Sequence, residues 1–457
     1  MQSRKQRTKK FLIILFFVFL LSASFSSVAA EIRGLWVTAW DLTTPDKIDQ
    51  VIRFAENHNI KQIFAHIRYR SDALYNPNRI FDTYPNPEPK SYIINDDLFD
   101  PLAYLTYAAA DKDLEIHAWV TVFVATPRTL ENISPDHLYY NNNDWFTKDF
   151  LGTKMHYNSY EGAYLDPGIP EVHDYLINVF LDIITNYPVK GIQLDYIRYP
   201  DSQFGYNLTA MDNYSRSGYV ETDFHKWREE QINRFVQRVY AEVKFHDPEM
   251  VVSAAVISDL NRARTRYSQN WTKWLEEGYI DYAYMMSYSR SDDIVKQELQ
   301  AVREWKDRIV VGLRAWEEEN RSYSPDLISS KIEISRKLGF SGIALFSYAG
   351  MKTNNNALLT RTLKGKAISS RSFADNIFFG YILDDEKRPL PKTPVYINNS
   401  LEESISDENG FFFFNRLKPG TYWLKSERDI NVFFSGTVTF PTEKEVNCFK
   451  YLITFPD

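Results

Sequence analysis

In the stretch GIQLDYIRYP, residues 191–200, one carboxylate, Asp195, and one guanidinium, Arg198, sit among five apolar or aromatic neighbours. Charges are rarely left inside an apolar strand without a purpose or a partner. Side chains alternate along a strand, so Ile192 and Leu194 face one side while Gln193 and Asp195 face the other. Asp195 lies near the strand's C-terminal end, before Pro200 breaks it. A carboxylate there can serve as acid, base or nucleophile. It can equally pair with Arg198, Arg68 or Arg70 and simply hold the fold together. Hydrolysis that pairs an acid with a base or nucleophile needs two carboxyl groups flanking the reacting bond. Asp195 is the candidate for one and Glu317, in Trp316-Glu317-Glu318-Glu319, for the other. The bland alternative for Glu317 is a solvated loop. Glu161 and Asp72 are rivals for the second place.

Other strand ends carry groups of the same kind: Trp40-Asp41, Arg68-Tyr69-Arg70-Ser71-Asp72, His117 with Trp119, and Ser347-Tyr348. Together they describe a polar, aromatic-lined cleft, which suits a sugar chain because aromatic faces stack on sugar rings. His117 alone reads as a satisfied core histidine. The chain has 8 His and 1 Cys, with no H-E-x-x-H and no Cys pair, so no metal and no cofactor is expected. An Asn-Glu pair or an acidic run ending in Glu would mark two well-known hydrolase classes; residues 193–197 are Gln-Leu-Asp-Tyr-Ile.

These residues need strands to carry them. Eight strand candidates follow one another: 32–40, 61–68, 115–124, 190–198, 250–257, 281–288, 308–316 and 341–350. Amphipathic helical stretches separate most of them, clearest at 45–59, 170–187, 226–245 and 325–338, with Pro45 and Pro170 at first-turn positions. Continuous apolar strands imply burial on both faces. The pattern predicts an α/β fold, a (β/α)8 TIM barrel over 31–368, with polar inserts at 71–100, 126–165 and 201–224 on its C-terminal rim. An open doubly wound sheet is the alternative, weakened by the lack of G-x-G-x-x-G after the first strand. Beyond Ser369 short strands and turns predict an antiparallel β-sandwich over 373–457.

Arg4, Lys5, Arg7, Lys9 and Lys10 precede the apolar run Phe11–Leu21, and Val28-Ala29-Ala30 closes it. This predicts a secretory signal over 1–30 and export to a cell envelope or periplasm, with a retained N-terminal anchor as the alternative. No membrane span is expected after cleavage. Lys+Arg number 53 against 60 Asp+Glu; without the five basic signal residues the tally is 48 against 60, a net −12. So acidic a chain, with no basic run outside the signal, is a poor nucleic-acid binder. A lone Cys448 leaves no internal disulfide. The sequence leaves oligomeric state open.

Several ordered stretches carry a family resemblance: EIRGLWVTAW, IFAHIRYRSDALYNP, EIHAWVTVF, the segment from Tyr164 to Pro200, and EEGYIDYAYMMSY. Most of residues 31–350 resembles the glycosyl-hydrolase-like 10 family of secreted bacterial proteins. The resemblance implies a TIM-type barrel and action on a polysaccharide, with peptidoglycan strands or another envelope glycan as substrate. By residue it implies site positions at Asp41, Arg68, Asp72, Trp119, Asp166, Asp195, Tyr196 and Tyr199, beside Arg198. Asp166 precedes Pro167-Gly168 and has a turn-organising alternative. Where the family has a Pro- and Gly-containing turn after its second strand, this chain has Tyr69-Arg70-Ser71. The tail is similar to carboxypeptidase-regulatory-like modules, which support a neighbour. A glycan-binding protein that kept the barrel and lost one carboxylate is the competing expectation.

Overall fold

The computed structural model describes residues 30–219, 223–315, 325–352, 356–397, 403–429, 432–440 and 446–455. The expected signal, apart from Ala30, and Glu317 lie outside the described residues. Eight parallel strands close on themselves: β1 (Glu31–Val37), β2 (Gln62–Arg68), β3 (Glu115–Thr121), β4 (Gly191–Asp195), β5 (Val251–Ile257), β6 (Tyr282–Ser287), β7 (Ile309–Arg314) and β8 (Gly342–Phe346). β1 pairs with both β2 (Gly34 opposite Gln62) and β8 (Ile32 opposite Gly342). That double pairing makes the sheet a closed (β/α)8 barrel and removes the open-sheet alternative.

Each strand stops two or more residues short of its sequence-predicted C-terminal end except β2, β5 and β6, and β6 stops one short. Among the residues that leave the sheet early, Thr38, Trp40, Tyr196 and Arg198 line the barrel mouth. Helices form where the apolar spacing placed them. Pro45 opens helix Pro45–Asn57, whose Thr44 side chain accepts from the Lys47 N–H, and Pro170 opens helix Pro170–Asn186.

Outward-facing strand residues such as Ile192 and Leu194 join the large core shared with the helices. Inward-facing Ile32, Trp36, Phe64, Trp119, Val251, Tyr282, Tyr284, Val310 and Ala344 fill the barrel itself. Gly191 is a glycine for a spatial reason. A Cβ there would meet His117 Nδ1 at 2.4 Å and Val251 O at 2.7 Å.

A two-residue strand, β9 (Ala367–Ile368), pairs with β1 and starts the passage to the C-terminal sheets. Those are β13–β10–β16 and β12–β11–β14–β15, built from β10 (Asn376–Asp384), β11 (Pro394–Ile397), β12 (Glu403–Ile405), β13 (Phe411–Leu417), β14 (Gly420–Asp429), β15 (Val432–Phe440) and β16 (Cys448–Phe455). Phe378, Phe412, Leu424, Val438 and Ile453 lie in the core between the two sheets. The opposite face of β10 and β13 packs Ile377, Phe379, Phe411 and Phe413 into the barrel's own core. Arg238 and Glu242 of helix Phe224–His246 hold Tyr381 and Lys450 across this contact, at 2.5–3.0 Å. A wholly buried Lys244–Asp281 pair, 2.7 Å, also binds Ser372 of the connection. Among the described residues no helix is long and apolar enough to cross a membrane.

Candidate active site at the mouth of the barrel

Asp195 is the last residue of β4 and points into the barrel, as the alternation requires. Its Oδ2 accepts from the Trp119 indole N–H at 2.9 Å, and its Oδ1 from the Tyr196 backbone N–H at 2.7 Å. Both donors are unable to accept, so this pair of bonds fits the carboxylate. Burial pushes the Asp195 carboxyl above the usual carboxylate range, against the pull of these two N–H groups and of the Arg198 and Arg70 charges. Tyr196 itself takes a left-handed backbone, φ 52, uncommon for a residue with a side chain.

A cavity of about 300 Å3 opens above Asp195. Trp36, His66, Trp119 and Phe346 line its depth; Trp40, Tyr69, Arg70, Tyr196, Arg198 and Tyr288 line its walls and lip. Its volume sits at the lower end of the ~300–1,000 Å3 of small-molecule sites. The Trp36 N–H donates to Gln193 in the floor. His66 stacks on Trp119 with centroids 4.0 Å apart and 18° between planes, and its Nε2 bonds Thr121 Oγ1 at 3.1 Å. Burial, with the Arg70 charge beside it, brings the His66 pKa down to about 3, so this imidazole is neutral. Trp40 is 49 % exposed and meets Tyr69 edge-on at 4.9 Å, an aromatic lip open to solvent. The Tyr196 ring lies between the guanidinia of Arg70 and Arg198, at 5.3 and 5.0 Å. Burial, with Asp195 beside it, pushes the Tyr196 phenol up to about 12. Glu161 reaches Arg198 at 3.5 Å and accepts from the Tyr164 hydroxyl at 3.1 Å, behind the cavity wall.

Of the expected site residues, Asp195, Trp119, Tyr196 and Arg198 converge on this cavity. Five others do not line it. Arg68 is wholly buried and turned away, because a β-bulge between His66 and Arg68 reverses the alternation there. It forms an ion pair with Glu88 at 2.6 Å and donates to the Thr121 and Val122 carbonyls. Asp72 is buried under the 71–100 insert, where Ser91 Oγ donates to it at 3.2 Å, and burial with Glu88 nearby raises its pKa well above the usual range. Asp166 organises the turn before helix Pro170–Asn186, accepting from Thr147 Oγ1 at 2.8 Å and the Gly168 N–H at 3.0 Å. Tyr199 is buried with the Arg228 guanidinium 4.6 Å over its ring. Asp41 sits one step behind the lining, taking Lys352 Nζ at 2.7 Å and Thr38 Oγ1 at 3.0 Å. His117 lies low in the barrel against Phe64 rather than at the rim. Among the described residues no group of His, Cys, Asp and Glu is arranged to hold a metal ion.

Trp40, Tyr69 and Arg70, named as strand-end groups of the expected cleft, line it as well; sequence reading missed Trp36, His66, Tyr288 and Phe346 as cavity residues. The signal for His66 was present: it shares the parity of Phe64 in β2, so it faces inward.

The family model described as Glycosyl hydrolase-like 10 matches residues 31–315. The Escherichia coli (strain K12) protein named Glycosyl hydrolase DigH is 24% identical over 305 residues, covering 59% of this chain and 64% of that protein. Glycosyl hydrolase YngK of Bacillus subtilis (strain 168) is 23% identical over 202 residues, covering 40% of this chain and 38% of that protein. The chain thus spans less than two thirds of these relatives' length. Among solved structures, the PgaB (BpsB) glycoside hydrolase domain from Bordetella bronchiseptica superposes with a TM-score of 0.59 at 13% identity, over 75% of this chain and 100% of that one. That likeness is one of fold.

Proposed function

The chain belongs to the glycosyl hydrolase-like 10 family, and from that premise we propose that it is an exported hydrolase of O-glycosyl bonds in an envelope polysaccharide, with peptidoglycan glycan strands as the leading substrate. The observation that carries this reading is the placement of Asp195: inward, at the C-terminal end of β4, its two oxygens each holding an N–H donor, beside an aromatic-walled cavity. That is where barrel enzymes keep their chemistry. Asp195 acts in its ionised form, attacking the anomeric carbon or taking the proton of the attacking water. Glu317, which follows β7, supplies the proton to the leaving oxygen. Trp119 and Tyr196 orient Asp195, Trp40 and Tyr69 stack on the sugar rings, and Arg198 contacts their substituents. The C-terminal sheets are a supporting module of the carboxypeptidase-regulatory-like kind.

A second reading has its own observation. Asp195 is the one carboxylate among the described residues that line the cavity. A protein that binds the glycan without cutting it needs no more. One experiment separates the two. Purified glycan strands are incubated with the mature chain, Asp195→Asn and Glu317→Gln. Hydrolysis expects new reducing ends from the parent and a collapse in both variants. Binding without any release of reducing ends by the parent selects the second reading.

A further inference from the structure

We propose that Arg70 recognises an oxyanion, a carboxylate or a sulfate ester, carried by the sugar that fills the cavity above Asp195. The inference rests on the glycan reading of that cavity and adds a charge to its ligand.

Three charged groups line the cavity among the described residues: Arg70, Arg198 and Asp195. His66 is there too but is neutral. The wall thus carries two cations against one anion, in a chain whose formal net charge is −7. Arg198 has a partner in Glu161 at 3.5 Å. Arg70 is different. Its Nε and Nη1 are buried and make no hydrogen bond. Charged donors removed from water without an acceptor are costly, and arginine usually escapes by swinging its long stem outward.

Here the guanidinium is held in place. It lies 5.3 Å from the centroids of both the Tyr69 and the Tyr196 rings. The backbone beneath it is fixed as well. Arg70 and Ser71 both take left-handed backbone, φ 61 and 62, a conformation that side-chain-bearing residues rarely adopt. His137 Nε2 binds the Arg70 carbonyl at 2.7 Å, and Ser71 Oγ accepts from Arg68 at 3.0 Å. A strained turn, anchored from below, thus keeps a cation in a cavity wall with two donors unused. A planar guanidinium holds its N–H groups in fixed directions and carries a delocalised charge, which suits the oxygens of an oxyanion. The Arg70 charge also favours the Asp195 carboxylate. Service to Asp195 alone, however, leaves Nε and Nη1 without an acceptor.

The test uses the full chain carrying Asp195→Asn, so that ligands persist, with and without Arg70→Met, which keeps an unbranched stem. Calorimetric titration compares three oligosaccharides of one backbone: carboxylated, with its carboxyls reduced to alcohols, and sulfated. With Arg70 present, at least one anionic chain should bind about ten-fold or more tightly than the reduced chain, the scale of one charge-assisted pair. Arg70→Met should erase that preference while leaving affinity for the reduced chain within about two-fold. Arg70→Lys should keep part of the preference, because charge remains and the fixed N–H directions are lost. Whichever anionic chain is preferred identifies the oxyanion. Equal binding of charged and reduced chains with Arg70 present, or equal weakening of all three by Arg70→Met, overturns the inference and leaves the glycan reading intact. Failure of every chain to bind overturns the glycan reading and this inference with it. Thermal melting of each variant reports whether it is folded.

Discussion

Trp119→Phe is the substitution that most finely tests how Asp195 is held. The indole N–H donates to Asp195 Oδ2 at 2.9 Å inside a buried site. Phenylalanine keeps a ring against His66, which stacks at 4.0 Å, but removes the donor. A hydrogen bond to a charged group contributes ~1.5–3 kcal/mol, all of it to the ionised form of Asp195. With ~1.36 kcal/mol per factor of ten, ionisation becomes ~10–100-fold harder. Burial already raises the Asp195 pKa, and the Trp119 N–H is one of the forces opposing that rise. Its loss therefore moves the acid limb of the pH–rate profile towards neutral pH. Initial rates of reducing-end release from glycan strands, measured from pH 4 to pH 9, should fall most at the acid end. The parent-to-variant ratio should shrink as the pH rises and Asp195 ionises in both. A loss of equal size at every pH would mean that Trp119 contributes shape alone. An unmoved acid limb would mean that Asp195 does not react as its carboxylate.

Four further outcomes follow from the geometry. Glu88→Gln strips the buried partner from Arg68, a 2.6 Å pair with side chains 0% and 1% exposed, and should cost ~3–5 kcal/mol in a urea titration. Gly191→Ala forces a Cβ to within 2.4 Å of His117 Nδ1 and should cost ~1–3 kcal/mol by the same assay. His173 is buried and neutral: burial, then the Arg238 charge, brings its pKa down to about 3 from the ordinary 6.5. Below pH 6.5 the unfolded chain takes a proton that the folded chain refuses, so stability falls as pH drops from there towards 3. His173→Gln should lessen that slope by up to ~1.4 kcal/mol per pH unit, read from denaturation midpoints between pH 6.5 and 4. Removal of residues 373–457 should yield an aggregation-prone barrel by light scattering, because Ile377, Phe379, Phe411 and Phe413 pack into the barrel's own core.

Much of the frame was legible in the sequence, and the reason is periodicity. Eight apolar strands alternating with amphipathic helices have few ways to bury both sheet faces, and closure is one of them. Alternation around Asp195 also read correctly, because β4 is regular from Gly191 to its end. Two strands away the same rule would mislead. One register shift between His66 and Arg68 turns Arg68 out of the barrel, and no residue type announces a bulge. Arg70 and Tyr196 were expected near the site, but the left-handed backbone both adopt at non-glycine positions is something composition does not signal. Trp36, Tyr288 and Phe346 come from three separate strands or their ends, and only barrel closure brings them together. Asp72 and Asp166 do not line the cavity, and the sequence could not show this because a carboxylate bonded within an inner loop and one facing a cavity share the same local sequence character.

The central claim is that Asp195, at the mouth of the barrel, does the bond cleavage. Its most direct measurement is the rate of reducing-end release from purified glycan strands by Asp195→Asn beside the parent chain, with both shown folded by thermal melting. The account predicts a fall of about a thousand-fold or more, the scale seen when one member of a catalytic group is removed. Product release by the folded variant at the parent's rate would contradict it.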